Sequence, residues 1–199
     1  MKDEEKVILD LCGGTGSWSR PYRQAGYDVR IIDPQVGSTS VQWFEYQSEK
    51  VYGILAAPPC TDFSSSGAQY WKAKDENGDT EKSIGIIDAC LRIVLLSSPT
   101  FWCLENPVGR LKRWIGPPAM YFNPCDYAGY SSRPERDCYT KKTCLWGNFN
   151  IPEQKPMTAV KTCNQGSWVQ KLGGSSERTK RLRSVTPEGF ARAFFEANR

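Results

Sequence analysis

Short apolar runs alternate with polar, glycine- or proline-marked breaks along the first half of the chain. Val7 to Leu11 predicts a buried strand, followed by the turn Cys12-Gly13-Gly14-Thr15-Gly16-Ser17. Glycines there let the backbone bend sharply, and Thr15 or Ser17 is placed to cap a helix starting near Trp18. A second strand, Tyr27 to Ile32, ends in Asp33. Residues 37–47 read as a loop carrying a short aromatic strand, Val41 to Phe44. Val51 to Ala57 is apolar and β-branched at its start, as a strand buried on both faces should be. Pro58 and Pro59 cannot continue a ladder, so Cys60 is presented at the strand's carboxyl end.

A polar stretch from Ser64 to Asp79 then reads as flexible, able to close over a substrate or to form a surface excursion. Thr80 is expected to cap a helix reaching about Leu96, with Ile84, Ile87, Cys90, Leu91 and Val94 on its buried face. Phe101 to Leu104 predicts a fourth strand ending in Glu105-Asn106-Pro107. A terminal helix spans Ser184 to Asn198, capped by Thr186, with Pro187 in its first turn and Phe190, Ala193, Phe194 and Ala197 as its apolar stripe.

Short buried strands separated by helical segments predict an α/β, Rossmann-like fold, a mostly parallel sheet with helices on both faces. Such sheets bind ligands at the carboxyl ends of their strands. Asp33, Cys60 and Glu105 all fall at strand ends, beside the glycine turn. The turn and Asp33 are separated by about 20 residues, the interval that sets an acid on a ribose hydroxyl. Asp33 before Pro34 also suits the start of a turn. A nucleotide-type cofactor is the expectation.

Composition narrows the chemistry. At 199 residues the chain suits one domain, 1–199, with 39% hydrophobic and 24% charged residues. No apolar run reaches the roughly 20 residues of a bilayer span, and the charged N-terminus does not read as a signal peptide. A cytoplasmic location is the default expectation, with the eight cysteines reduced. Cys125, Cys138, Cys144 and Cys163 form no C-x-x-C pair, so no metal site is expected. The chain has no histidine, which excludes Ser-His-Asp and Cys-His catalysis. Its net charge of +4 permits nucleic-acid binding without demanding it.

DLCGGTG, PPCTDFSSSG and ENP, in that order, resemble the cofactor, nucleophile and acid motifs of the DNA cytosine-5 methyltransferases. The likeness spans residues 7–109 and is nearest to short, phage-type members, whose endings resemble the segments Tyr139 to Gly147 and Ser176 to Phe190. It implies a methyl transfer from S-adenosylmethionine to carbon 5 of cytosine in DNA, with Cys60 as covalent nucleophile, Glu105 on ring N3 and the exocyclic amine, and Lys141 near the base oxygen. Asp10, Cys12, Gly13, Gly14, Thr15, Gly16 and Trp18 would border the cofactor, with Asp33 on its ribose and Pro58 near its adenine. Pro59, Ser64, Asn106, Lys142 and Arg178 would touch the substrate. A duplex target base would have to be flipped out.

Departures from the family pattern are specific. Ser40-Val41-Gln42 stands where an Asp usually meets the adenine amine. The family's Gln-x-Arg-x-Arg segment is absent as such; Tyr139 to Thr143 is its counterpart, with Arg133 and Arg136 as rivals. Ninety-two residues follow Pro107, too few for the family's usual recognition domain, so residues 120–180 are expected to form a reduced substrate-contact region. Trp168, Lys171, Arg178, Lys180, Arg181 and Arg183 would supply a small basic and aromatic surface. Loose DNA specificity is the favoured consequence. A targeting partner, an RNA or free-nucleotide acceptor, and a binding protein with little turnover are the alternatives.

Overall fold

A computed structural model describes residues 6–45, 50–159, 162–163, 166–167 and 176–199. Six strands form its main sheet: β1 (Val7–Leu11), β2 (Asp28–Ile32), β3 (Val51–Ala56), β4 (Phe101–Pro107), β5 (Met120–Phe122) and β6 (Thr143–Asn148). Their spatial order is β2-β1-β3-β4-β6-β5. The first four are mutually parallel, and β6 runs antiparallel between β4 and β5. A separate two-stranded ribbon pairs β7 (Thr162–Cys163) with β8 (Gly166–Ser167).

Successive side chains on each strand enter opposite cores, the period-two pattern of a sheet covered on both faces. Leu9, Leu11, Ala56 and Leu104 join one core, which is completed by Ile87, Cys90, Ile93 and Val94 of the long helix α3 (Asp79–Ser97). Ile8, Leu55, Phe101, Cys103 and Leu145 face the other. That second core is aromatic. Tyr22 of α1 (Arg20–Gln24) and Phe190 and Phe194 of α7 (Glu188–Ala197) pack there, with Phe122 and Phe190 stacked at 3.9 Å between ring centroids. The fold is therefore α/β and Rossmann-like, as the patterning predicts.

Several local expectations fail for identifiable reasons. Val41 to Phe44 is a turn closed by the Trp43 amide on the Ser40 carbonyl, with Val41 buried in the core and Phe44 packed against it. Ser64 to Asp79 is ordered into a 3-10 turn and the helix α2 (Trp71–Glu76), because Lys74 bonds back to Asp62 and to the Thr61 carbonyl. Thr80 does not cap α3: its hydroxyl donates to Asp75 and accepts from Arg110. Neither Thr15 nor Ser17 caps α1, which starts later, after Ser19. The terminal segment splits into α6 (Glu177–Ser184) and α7, and the Asp137 carboxylate, not Thr186, accepts the Gly189 amide at the start of α7. No helix among the described residues is long and apolar enough to cross a membrane.

Candidate active site

Because β1, β2, β3 and β4 are parallel, their carboxyl ends share one rim. At the end of β1 the chain turns tightly. The Cys12 amide donates to the Ile32 carbonyl and the Gly16 amide to the Gly13 carbonyl. Asp33 closes this turn from β2. One of its oxygens accepts the Gly14 amide at 2.9 Å, and the other accepts the Gln35 amide at 2.8 Å. The turn-starting reading of Asp33 is met in this buried side chain, which also ties the glycine turn to β2.

Asp10 lies beneath the turn. It is fully buried, accepts the Ser19 hydroxyl, and sits so close under Gly13 that a Cβ there would overlap its carboxyl group. Burial pushes its pKa up to about 6 despite the Ser19 hydrogen bond, and its second oxygen has no partner. Trp18 packs edge-on against Phe194 in the aromatic core. The Cys12 thiol points to α3, where its hydrogen bond to Cys90, together with burial, holds Cys90 well above the ordinary thiol value. Thr15 and Ser17 pair through their hydroxyls, and Ser17 also accepts the Thr186 amide, tying the turn to the segment before α7.

At the end of β3, Pro58 is buried and Pro59 and Cys60 are exposed. The loop is clamped from outside. Asn106 on β4 donates to the Pro58 carbonyl at 3.1 Å, and the Cys60 carbonyl accepts the amides of Phe63 and Ser64. Ser64 bridges Gly109, and the Ser65 amide donates to the Val108 carbonyl. Arg110, itself buried, donates its Nε to the Asp62 carbonyl, Nη1 to Asp75 and Nη2 to Thr80. Its guanidinium also lies over Trp71 and Trp114, at 5.0 and 5.6 Å from the ring centroids. Sequence reasoning missed Arg110. Its partners lie 30 to 48 residues away in the chain, so no local pattern marks it.

Glu105 stands on β4 beside Cys60, close enough that its carboxyl affects the thiol. Although the residue is exposed at the rim, the protein packed around its sulfur raises the Cys60 thiol, Glu105 raises it further, and Lys141 and Arg183 oppose them. Burial likewise raises Glu105, against the pull of Lys141. Lys141 donates to the Arg183 carbonyl at 3.0 Å. A shallow, open pocket lies here, lined by Glu105, Lys141 and Thr143 and by residues 184–187. Arg133 and Arg136 are exposed on α5 (Pro134–Asp137) and do not line it. Lys142 points elsewhere, onto the ring of Tyr121. Trp168 and Lys171 lie outside the described residues, as do the side chains of Arg178, Lys180 and Arg181. Among the described residues no Cys, Asp or Glu cluster could hold a metal ion.

Fold and rim together define an α/β, Rossmann-like protein with a thiol and a carboxyl at adjacent strand ends. No protein-family model matches the chain, and no curated protein matches it. Among solved structures, one it is similar to is a candidate DNA modification methyltransferase encoded within a prophage of E. coli, at 17% identity and a TM-score of 0.45. The alignment covers 77% of this chain and 53% of that one, so the chain spans about half that protein's length.

Proposed function

We propose that this protein methylates carbon 5 of cytosine in DNA, using S-adenosylmethionine and a covalent Cys60 adduct. The observation that carries the reading is the mutual placement of Cys60, Glu105 and Lys141 at the ends of β3, β4 and the approach to β6. The glycine turn suits the cofactor: it is free of side chains at Gly13, Gly14 and Gly16, and Asp33 and the partnerless oxygen of Asp10 supply negative charge beside it. Cys12, Thr15 and Trp18 would frame that pocket and Pro58 would border its adenine side. When bound, the cofactor supplies an electrophilic methyl group.

The chain's own residues account for the remaining chemistry. The Cys60 thiol gives its proton to water as the sulfur attacks carbon 6 of the ring, the 5,6 double bond opens, and electron density moves toward N3 and the carbonyl oxygen. Glu105, whose raised pKa favours a retained proton, gives that proton to N3. A neutral Glu105 also removes the second of the two causes that raise the Cys60 thiol, leaving burial opposed by Lys141 and Arg183. Lys141 offers a positive charge to the oxygen as density builds there. After methyl transfer, water takes the carbon 5 proton, sulfur leaves as the double bond re-forms, and N3 returns its proton to Glu105. Pro59, Ser64 and Asn106 keep the loop's approach to the base fixed.

Incubation with DNA and tritiated S-adenosylmethionine, followed by digestion to nucleosides, should yield labelled 5-methylcytosine. Cys60→Ser should abolish it, along with trapping on 5-fluorocytosine DNA. Label in another base, or none on single-stranded and duplex substrates alike, would overturn the proposal.

A further inference from the structure

One flank of the rim, outside the cavity, carries cations and aromatic rings that the catalytic reading does not use. It is built from α4 (Lys112–Ile115), from Tyr121 on β5 and from Lys142 just before β6. Residues 107–125 and 138–152, which form it, contain Arg110, Lys112, Arg113, Lys141 and Lys142 and no aspartate or glutamate. The two segments are separated by residues 126–137, which hold Asp126, Glu135 and Asp137, and Asp75 accepts from Arg110, so the exposed cations of the flank are Lys112, Arg113 and Lys142.

The parts lie close together. Tyr121 pairs with Cys144 across the β5–β6 ladder. Burial and Glu105 push the Cys144 thiol up to about 11, while Lys142 and Lys112 both pull it down. Two lysines from different segments thus sit within electrostatic reach of one side chain, next to Tyr121 and within range of Glu105. Lys142 lies 4.8 Å from the Tyr121 ring centroid, and Arg113 lies 5.8 Å from that of Trp71. Trp114 is 43% exposed and Tyr121 46% exposed. Rings of this size left open to water beside cations are poorly explained by packing. Lys141 and Lys142 are neighbours that diverge, the first into the cavity and the second onto the outer ring. A chain following the outer surface would therefore arrive directly at Glu105.

We infer that this flank, with Lys112, Arg113, Trp114, Tyr121 and Lys142, is a track for an unpaired DNA strand leading to Cys60. Phosphates meet the cations, and bases stack on the rings and on the planar Arg113 guanidinium. In a duplex the base faces are already stacked on one another and offer the rings nothing. The inference rests on the proposed methyl transfer for the purpose of the strand, and it adds the form in which the cytosine is delivered.

The test measures binding separately from turnover. A fluorescein-labelled single-stranded 15-mer containing cytosine, and the same sequence as a duplex, are titrated with the full chain by anisotropy without cofactor, over a range of salt. The wild type should bind the single strand more tightly. Tyr121→Leu keeps an apolar side chain and should weaken that binding about tenfold. Lys142→Glu and the pair Lys112→Glu/Arg113→Glu should weaken it at least as much and flatten its salt dependence. Lys82→Glu, an exposed site on α3 (76% side-chain exposure), changes net charge as much as Lys142→Glu does and should leave binding unchanged. The track is overturned if the duplex binds as tightly as the single strand, if the flank variants bind like wild type, or if Lys82→Glu weakens binding as much as they do. Should 5-methylcytosine form while the flank variants bind normally, the track falls and the methyl transfer stands. Should the variants lose binding while no 5-methylcytosine forms, the reverse holds.

Discussion

The turn after β1 and the loop after β3 sit on the same rim, yet they are held by opposite means. The turn after β1 is nearly self-contained. Its own amides close it, Asp33 arrives from the adjacent strand, and Asp10 supports it from directly below. The loop carrying Cys60 has few internal bonds and is gripped by residues 106–110, which belong to another strand and its exit. A pocket for a cofactor can be formed locally by a flexible backbone and one acid. A nucleophile must point in one direction, and here that direction is imposed from outside.

Steric probes should separate the two regions most widely. At Gly109 an added Cβ would run into the backbone carbonyl of Phe63, with no side chain to swing aside. Gly109→Ala should cost about 3 kcal/mol and displace the Cys60 loop. At Gly13 the obstacle is the Asp10 carboxyl, a side chain able to yield slightly, so Gly13→Ala should cost about 1–2 kcal/mol. Urea unfolding of both variants checks the ranking. Equal losses would mean that the two turns are equally rigid.

Asp10 allows an electrostatic probe of the β1 side. Its folded pKa of about 6 lies above the ordinary 3.8, so the folded state holds its proton more tightly than the unfolded chain. Ionised Asp10 therefore costs stability. The cost is fully present above about pH 6 and fades as pH falls toward 4, amounting to about 3 kcal/mol. Asp10→Asn should be more stable than wild type at pH 7 by up to that amount, and the two should converge near pH 4. A difference independent of pH would remove the charge explanation.

On the β3 side, Arg110→Met should leave the Asp62 carbonyl and the Thr80 hydroxyl without their charged donor, at a cost of about 2–3 kcal/mol. Arg110→Lys should recover part of that stability, because one ammonium can serve only some of the three directions the guanidinium fork serves at once. Iodoacetamide labelling of Cys60 reads the loop itself. Labelling should speed up or lose its uniformity in the Met variant and return toward wild type in the Lys variant.

How far the sequence was legible follows the same division. Apart from the Thr186 amide on Ser17, what holds the β1 turn lies within a few residues of it or about 20 away, as spacing rules assume, so the glycines, Asp33 and the strand boundaries could be read directly. Cys60 and Glu105 were legible as strand-end residues because prolines or an adjacent Asn-Pro mark the exits. The clamp was not. Arg110 follows a strand as an ordinary basic residue, and only folding brings it beside Asp62 and Thr80. The same kind of contact explains why Ser64 to Asp79 looked flexible: its Asp75 and Lys74 find partners in Arg110 and Asp62, outside the stretch. The split between α6 and α7 was hidden for a similar reason, since Asp137 supplies the acceptor at the start of α7.

Asn106 gives the smallest effect and the finest distinction between the two regions. It is fully buried, its Nδ2 donates to the Pro58 carbonyl, and its Oδ1 has no hydrogen-bond partner. Asn106→Ala removes one satisfied bond and one unsatisfied acceptor together, so the net loss should be about 1 kcal/mol. Asn106→Asp retains the shape but places a second carboxylate next to Glu105 and aims an acceptor at the Pro58 carbonyl. If Asn106 only fills space, both variants should label Cys60 at wild-type rates over the whole pH range. If it sets the exit of the loop, Asn106→Ala should alter the labelling rate at every pH. Asn106→Asp should also shift its midpoint upward, because another negative charge near the thiol disfavours the thiolate. The glycine turn contains no such donor, so cofactor affinity, measured by calorimetry, should be the same in both variants. A drop in that affinity matching the change at Cys60 would mean that β1 and β3 do not present their loops independently.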